Sequence, residues 1–183
     1  MPLPPPDCAR EASHQRAITI RAYARSDGLW DIEGHLSDAW PHPVPRAGGM
    51  LPAGEAMHSM WLRLTVDRTA TIVAAQAATD AGPYDGACET IAPDYSRLAG
   101  IRVGRGYRDT IRKLFGRTAG CTHMNELAGV MGSAVLQALW EQLTENPDDK
   151  PFSIDGCHAL KASGAAVKEF VPRWYKPASG SSS

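Results

Sequence analysis

The feature that most constrains the fold is an alternation of apolar and polar residues on both sides of Asp27-Gly28. From Ala17 to Arg25, and again from Leu29 to Asp38, nearly every second residue is apolar. A period of two is typical of half-buried β-strands. A short loop that ends with Gly28 in the left-handed conformation keeps the apolar residues of both strands on one face. The sequence therefore predicts an antiparallel hairpin with Ile18 opposite Leu36.

The same alternation recurs further along the chain and then gives way to a helical period. His58–Val66 and Thr71–Thr79 complete an antiparallel meander of about four strands. Tyr107–Phe115 is predicted as a helix, and residues from about 122 to 143 as a long, buried helix. Strands followed by helices predict an α+β fold in which the helices pack on one face of the sheet.

Proline, glycine and serine mark the other divisions of the chain. The segment 39–56 is predicted as a long loop, and Ala87–Leu98 as a short helix broken by a proline. We expect a flexible N-terminal arm over residues 1–16 and a single α+β domain over residues 17–145. A C-terminal extension with a disordered end is expected over residues 146–183.

Composition and charge exclude several classes of protein. The 183 residues carry a net charge of −1, which disfavours extended nucleic-acid binding. The longest uncharged, mostly apolar run, Leu127–Trp140, is shorter than the roughly 20 residues of a spanning helix. The N-terminus lacks the pattern of a signal peptide, so we expect a cytoplasmic protein without a membrane partner. The 4 cysteines lie far apart and are expected to be free thiols.

Cys121 and His123, at the start of the long helix, are the first candidates for chemistry. The backbone N–H groups and dipole of a helix N-terminus lower the pKa of a thiol and favour bound anions. A cysteine and a histidine two residues apart also suit a soft metal ion. The alternative is a packed thiol beside a hydrogen-bonded histidine. His58, at the start of its strand, is either a functional base or a core histidine.

Two carboxylates are candidate general bases. Asp80 ends the fourth strand, and Tyr84 in the following loop is a candidate donor to substrate; the alternative for this segment is a simple turn. Glu33 lies on the polar face of the first hairpin, where a cross-strand ion pair is the alternative.

A basic segment follows the sheet. Between Ile101 and Gly120 the chain has six basic residues and one acidic residue, with glycines interleaved. Such a segment suits phosphate groups, including those of a nucleotide-containing acyl carrier. The alternative is a solvated helix face. The candidate substrate-binding residues are Arg102, Arg105 and Arg108.

Four stretches of the sequence carry a resemblance to a known family: residues 27–38, 58–67, 78–84 and 119–127. Together they resemble a bacterial family of uncharacterised proteins, domain-of-unknown-function family 2889. The resemblance spans about residues 17 to 140, and Ser59 replaces the acidic residue expected after the histidine. It implies an association with the catabolism of aromatic acids and acyl-coenzyme A, and a thioesterase activity.

A looser resemblance is to iron–sulfur scaffold proteins of the NifU type, which also place a cysteine at the start of a long final helix. Asp80, Cys88 and Cys121 fall in a comparable order, with Asp80 where the scaffold pattern has a cysteine. This resemblance implies a metal-binding protein without turnover. Its zinc or iron ligands would come from Asp80, Cys88, Cys121 and His123.

The leading expectation is a hydrolase of an acyl-CoA thioester with an aromatic acyl group, requiring no metal or cofactor. Asp80 or Glu33 would activate water, and His58 or His123 would assist. The N–H groups beside Cys121 would hold the oxyanion. The alternatives are the metal-binding protein and a small-ligand-binding domain. The oligomeric state stays open, a homo-oligomer included.

Overall fold

A four-stranded antiparallel sheet organises the N-terminal unit, which ends at Ala138. The computed structural model describes residues 3–146 and 148–177. The strands are β1 (Gln15–Ala24), β2 (Trp30–Ala39), β3 (Val44–Arg46), β4 (Gly49–Leu51), β5 (Ala56–Val66) and β6 (Ile72–Ala81). The order in the sheet is β1-β2-β5-β6, which is the expected meander with a small hairpin inserted between its second and third strands.

The first hairpin has the predicted register. Ile18 pairs with Leu36, and Ala22 pairs with Ile32. Gly28 closes the loop with φ of +82°, a left-handed conformation that glycine adopts without steric cost. The apolar residues of β1 and β2 therefore share one face of the sheet.

The sequence predicted a long loop over residues 39–56, but two short strands form within this segment. β3 and β4 pair with each other in a separate two-stranded sheet, with Pro45 opposite Met50. Gly48 and Gly49 adopt φ of +86° and +141°, which lets the chain reverse between two very short strands.

The helices follow the sheet in sequence. The segment Glu89–Leu98 is a 3-10 helix, consistent with Pro93 lacking the N–H that an α-helical hydrogen bond needs. Helix α1 spans Tyr107–Phe115, as predicted. The predicted long helix is divided, because Leu139 leaves the helical conformation with φ −99° and ψ 16°. Its two parts are α2 (Thr122–Ala138) and α3 (Trp140–Leu143).

Helix α2 packs on the apolar face of the sheet, and Gly34 permits its close approach. A Cβ at Gly34 would lie 2.6 Å from Met131 Sδ and 2.9 Å from Leu127 Cδ1. The opposite face is more exposed, and Trp61 there is 41% accessible. The fully buried side chains of this core include Ile32, Leu36, Met60, Leu62, Leu64, Met124, Leu127 and Met131.

The C-terminal unit begins at Leu139, before the boundary expected at residue 146. It contains α3 and a further short helix, α4 (Ala165–Phe170). Within it, Asp155 accepts a hydrogen bond of 2.8 Å from the Ala162 N–H. The end predicted to be disordered lies largely outside the described residues.

At the other end, residues 3–14 belong to no strand or helix, whereas Gln15 and Arg16 of the predicted arm already pair with β2. Among the described residues, no helix has the length and apolar character needed to span a bilayer.

We predict that Gly34→Ala lowers the free energy of unfolding by about 1–3 kcal/mol, because the added methyl group overpacks the contact between β2 and α2. Gly129→Ala, in the same helix, is the matched control. Its Cβ would meet no atom within 4 Å, so we expect a gain of about 0.5–1 kcal/mol. Urea unfolding of both variants measures the difference; equal effects would contradict the close approach at Gly34.

Candidate functional site

A buried carboxylate, Asp38, is the centre of the candidate site. It lies near the end of β2, on the same face as Ile32, Gly34 and Leu36, because side chains alternate along a strand. Only 1% of Asp38 is exposed. An ionised carboxylate removed from water is costly unless it is paired and hydrogen-bonded. The neighbours of Asp38 must therefore supply charge and hydrogen bonds.

Arg16 supplies both. It stands directly opposite Asp38 in the β1–β2 register. Its Nε and one terminal nitrogen each donate a hydrogen bond of 2.8 Å, to Oδ1 and Oδ2 respectively. His14 Nε2 lies 3.2 Å from Oδ1. Arg16 also pairs with Glu126 of α2, so one guanidinium connects β1, β2 and α2.

Two histidines face the same carboxylate. His58, opposite Asp38 on β5, places Nδ1 3.1 Å from Asp38 Oδ2. His123, in the first turn of α2, places Nε2 3.7 Å from the same oxygen. The two rings stack with their centroids 3.7 Å apart and their planes inclined by 29°. The structure thus brings together two of the predicted histidines around one acceptor.

Cys121 lies beside this pair, immediately before α2. Its Sγ is 4.0 Å from His123 Nδ1 and 3.8 Å from Met60 Sδ. The Cys121 N–H donates to the Tyr95 hydroxyl oxygen at 3.1 Å, and that hydroxyl donates to Asn125 Oδ1 at 2.6 Å. The Cys121 N–H is therefore already hydrogen-bonded, and the expected oxyanion donors reduce to the N–H groups of the first turn of α2.

Burial and charge set the protonation of the cluster. Burial raises the pKa of Asp38, but the hydrogen bonds and charge of Arg16, with the charges of His58 and His123, outweigh it and hold the pKa below its usual value. Burial lowers the pKa of His58, and Asp38 offsets this only in part. Burial, followed by the charges of His58 and Arg16, lowers the pKa of His123. At pH 7 the carboxylate is ionised and both imidazoles are neutral.

A neutral imidazole has one N–H and one lone pair. If each ring donates its N–H towards Asp38, the lone pairs remain on His58 Nε2 and His123 Nδ1. His123 Nδ1 is the nitrogen that lies 4.0 Å from Cys121 Sγ. The order thiol, imidazole, carboxylate is one that activates a nucleophile.

Glu33 and Asp80 lie on the other face of the sheet. Glu33 accepts a hydrogen bond of 2.8 Å from Arg63 Nε, and Asp80 accepts one of 2.8 Å from Trp61 Nε1. Both carboxylates line one open depression of about 450 Å³. The structure brings the two predicted bases together there, but away from Cys121.

The predicted arginines are dispersed. Arg102 Nε donates to the Thr69 carbonyl at 3.1 Å, at an isolated bridge beside the sheet. Arg108 Nε donates to the Gly129 carbonyl of α2 at 3.3 Å. Arg105 is exposed in the turn before α1. Only Arg108 of these three contacts the helix that carries the site.

Tyr84 is 62% exposed in the loop after β6. Cys88 packs against Gly82, where a Cβ would lie 2.6 Å from the cysteine Cβ. These two residues belong to the same loop, and within the described part of the chain neither forms a side-chain hydrogen bond or ion pair with Asp38 or its histidines.

The four residues of the alternative metal site do not form one cluster. Across the described ranges, the group of three or more possible ligands whose donor atoms all lie within 4.8 Å is Asp38, His58 and His123. Only His123 belongs to both sets. All four cysteines are free thiols, in agreement with the sequence.

Asp38 and Arg16 are the functional residues that sequence reasoning missed. Asp38 occupies an inward-facing position of β2 after Ile32, Gly34 and Leu36, where an apolar residue is expected. The predicted hairpin register places Arg16 opposite it. A charge on the apolar face, with an opposite charge at its register partner, was the available signal.

One family profile covers the entire cluster around Asp38. The profile described as Protein of unknown function (DUF2889) matches residues 14–137. The chain belongs to this family. The matched segment contains every residue around Asp38, from His14 to Glu126, and leaves out the C-terminal unit. No curated protein and no solved structure gives a significant match.

We predict that stability falls as the pH is lowered from 7 towards 5. The folded-state pKa values of His58 and His123 are lowered. Protons therefore bind preferentially to the unfolded chain below its histidine pKa of about 6.5. Asp38 acts in a lower window, since its lowered pKa gives stability that is lost only below about pH 4.

Urea unfolding at pH 5, 6 and 7 measures this dependence. His58→Gln together with His123→Gln should flatten it between pH 7 and 5, whereas His42→Gln, at an exposed histidine, should not. An unchanged slope in the double variant would contradict the assignment.

Proposed function

We propose that the chain hydrolyses an acyl thioester, with Cys121 as nucleophile, His123 as base and Asp38 as the group that orients the imidazole. The observation that carries the proposal is the sequence of contacts from Cys121 Sγ to His123 Nδ1, 4.0 Å, and from His123 Nε2 to Asp38 Oδ2, 3.7 Å. Contacts of this kind are often long without substrate and shorten when it binds.

In the first half-reaction, His123 Nδ1 takes the Cys121 thiol proton and the thiolate attacks the thioester carbonyl carbon. The bond between the carbonyl carbon and the sulfur of the carrier breaks, and the departing carrier thiolate receives the proton from His123. In the second half-reaction, His123 takes a proton from water, whose oxygen attacks the acyl-cysteine. The acid is released, and the proton returns to Cys121. The sum is thioester plus water giving acid plus thiol.

Asp38 favours this cycle electrostatically. An ionised carboxylate stabilises the imidazolium that forms on His123 when it takes a proton. Arg16 keeps Asp38 ionised by donating to both of its oxygens. His58 competes for the same carboxylate, and a proton on His58 disfavours one on His123. The cluster therefore accommodates a proton on one of the two histidines at a time.

The substrate class we propose is an acyl-CoA thioester of an aromatic acid. Its support is the family resemblance found in the sequence and the basic character of the segment from Ile101 to Gly120. A thioester releases a good leaving group, so the protein needs to supply a nucleophile and a proton carrier rather than a strong acid.

We predict that purified protein hydrolyses benzoyl-CoA, measured by thiol release. Cys121→Ala should lower kcat by about 1000-fold or more, and Asp38→Asn by about 100-fold or more, since residues that act as a unit fail together. With His123→Gln, we expect a mass increase of one benzoyl group on Cys121. A cysteine is still a few per cent thiolate at about pH 7 and can be acylated slowly, whereas water then lacks the base that activates it against the acyl-cysteine.

Two further variants separate this assignment from the one expected on sequence grounds. Asp80→Asn and Glu33→Gln change carboxylates on the other face of the sheet, and we expect turnover to persist in both. Turnover that survives in Cys121→Ala but is lost in Asp80→Asn would overturn the proposal and restore Asp80 as base. Ligand binding without turnover of any thioester would favour the small-ligand-binding alternative.

A metal centre is the second candidate, because two histidines and a carboxylate within 4.8 Å are a ligand set for zinc or iron. The observed geometry fits it less well. Both Asp38 oxygens accept hydrogen bonds from Arg16. The two histidine rings also stack with centroids 3.7 Å apart and planes inclined by only 29°. A metal requires in-plane lone pairs from both rings to meet at one point about 2.0–2.1 Å from each nitrogen.

We predict that freshly purified protein contains much less than one equivalent of zinc or iron, measured by elemental analysis. Arg16→Gln removes the competing guanidinium and should raise the zinc affinity of the cluster, with Arg21→Gln, on an exposed part of β1, as the matched control. One tightly bound metal per chain in the unaltered protein, lost in His58→Gln, would establish the metal centre instead.

A further inference from the structure

A groove between α1 and α2 extends from the neighbourhood of the candidate site. Two cavities of about 280 and 250 Å³ lie along it, and both are lined by Arg108 and Gly129, which are hydrogen-bonded to each other. Asn125 and Glu126 line the end nearer the site, and Gly104 lines the other end.

The groove is lined by Gly129, a glycine that no packing contact within the described residues requires. Gly129 lies inside α2, where glycine costs about 0.5–1 kcal/mol relative to alanine. A Cβ there would meet no atom within 4 Å. Gly132 differs, because its Cβ would lie 2.7 Å from the Tyr107 ring. One glycine is required by packing, whereas the other leaves space along the helix backbone.

Among the described residues, one cation that lines the groove has no carboxylate partner. Arg108 donates Nε to the Gly129 carbonyl and has no carboxylate partner within the described ranges. By contrast, Arg112 is paired with Asp109 at 2.5 Å. Arg108 is thus the lining cation whose charge is left for a ligand.

The far end of the groove suits an anion. Gly104 and Gly106 form the turn into α1, and Gly106 has φ of +84°. The first N–H groups of a helix and its dipole favour phosphate. The cation Arg108 lies one residue after the first residue of α1.

The near end of the groove adjoins the candidate site. Asn125 accepts a hydrogen bond from Tyr95, which also accepts one from the Cys121 N–H. Glu126 pairs with Arg16, the partner of Asp38. From Asn125 to Ser133, α2 rises about 12 Å at 1.5 Å per residue, so the groove accommodates an elongated rather than a compact ligand.

We propose that this groove binds the carrier arm of the substrate: an elongated chain whose phosphate end lies at Arg108 and the turn before α1, and whose thiol end leads towards Cys121. This inference rests on the proposed thioester hydrolysis and adds the binding site of the leaving group. Gly129 is then a specificity residue, because any side chain there occupies the path of the arm.

Calorimetric titration of the full chain with coenzyme A tests the groove without requiring turnover. We expect coenzyme A to bind, and pantetheine, which lacks the phosphates, to bind at least tenfold more weakly. Arg108→Gln should reduce the affinity for coenzyme A to that for pantetheine. Equal affinities for coenzyme A and pantetheine, or no binding of coenzyme A, would overturn the proposal.

Gly129→Leu tests the path along α2. We expect at least a tenfold loss of coenzyme A affinity with an unchanged or higher melting temperature, because leucine has the better helix propensity. Gln137→Leu adds the same side chain at an exposed position of α2 outside the groove, and should bind like the unaltered protein. Unchanged affinity in folded Gly129→Leu would overturn the proposal.

Cys121→Ala separates the groove from the reaction. Coenzyme A binding retained in Cys121→Ala and lost in Gly129→Leu supports the groove, even if no thioester is hydrolysed by the unaltered protein. Thioester hydrolysis with an unchanged kcat/KM in Gly129→Leu would overturn the groove and leave the catalytic assignment intact.

Discussion

The ion pair between Asp38 and Arg16 is the interaction on which the site depends. A carboxylate that is 1% exposed needs compensation for its lost hydration. A guanidinium that donates to both oxygens provides it with the geometry that suits a carboxylate best. Because Arg16 belongs to β1, Asp38 to β2 and Glu126 to α2, the pair also fixes how the helix start sits over the sheet. The geometry of the site therefore follows from the ion pair that allows the charge of Asp38 to be buried.

The sheet separates two groups of polar residues that look equivalent in the sequence. On the helix-covered face, Asp38 and the histidines are largely shielded from water. A change in the charge of one group therefore strongly affects the others. On the open face, Glu33 and Asp80 are hydrogen-bonded to exposed partners, where water and salt weaken their influence. Burial, more than residue type, distinguishes the carboxylate that can tune a histidine from those that cannot.

The hairpin register and the existence of α1 and α2 could be predicted because each follows from a local period. The division at Leu139 depends on a single backbone conformation that residue type does not specify. The small hairpin at Val44 lies in a segment whose prolines and glycines are equally typical of a long loop. Within the site, Cys121, His123 and His58 were recognisable by residue type and position. Glu33 was placed on the polar face of the first hairpin but was still weighed as a base together with His58, which lies on the other face; the face of Asp80 was not predicted. For Glu33 the answer was already contained in the alternation, since Glu33 and Asp38 differ in parity along β2.

Because Arg16 lies on β1, the Asp38–Arg16 pair forms only when β1 folds in the correct register. β1 is an edge strand of the described sheet, so β2 is the one strand to which it is hydrogen-bonded. A slip of one residue along β2 would bring Ala17 opposite Asp38 and turn the guanidinium to the other face. Such a misregistered chain would keep most of its strand pairing while its buried carboxylate lost its counter-charge. The cluster thus penalises the wrong alignment of one of the two edge strands of the sheet.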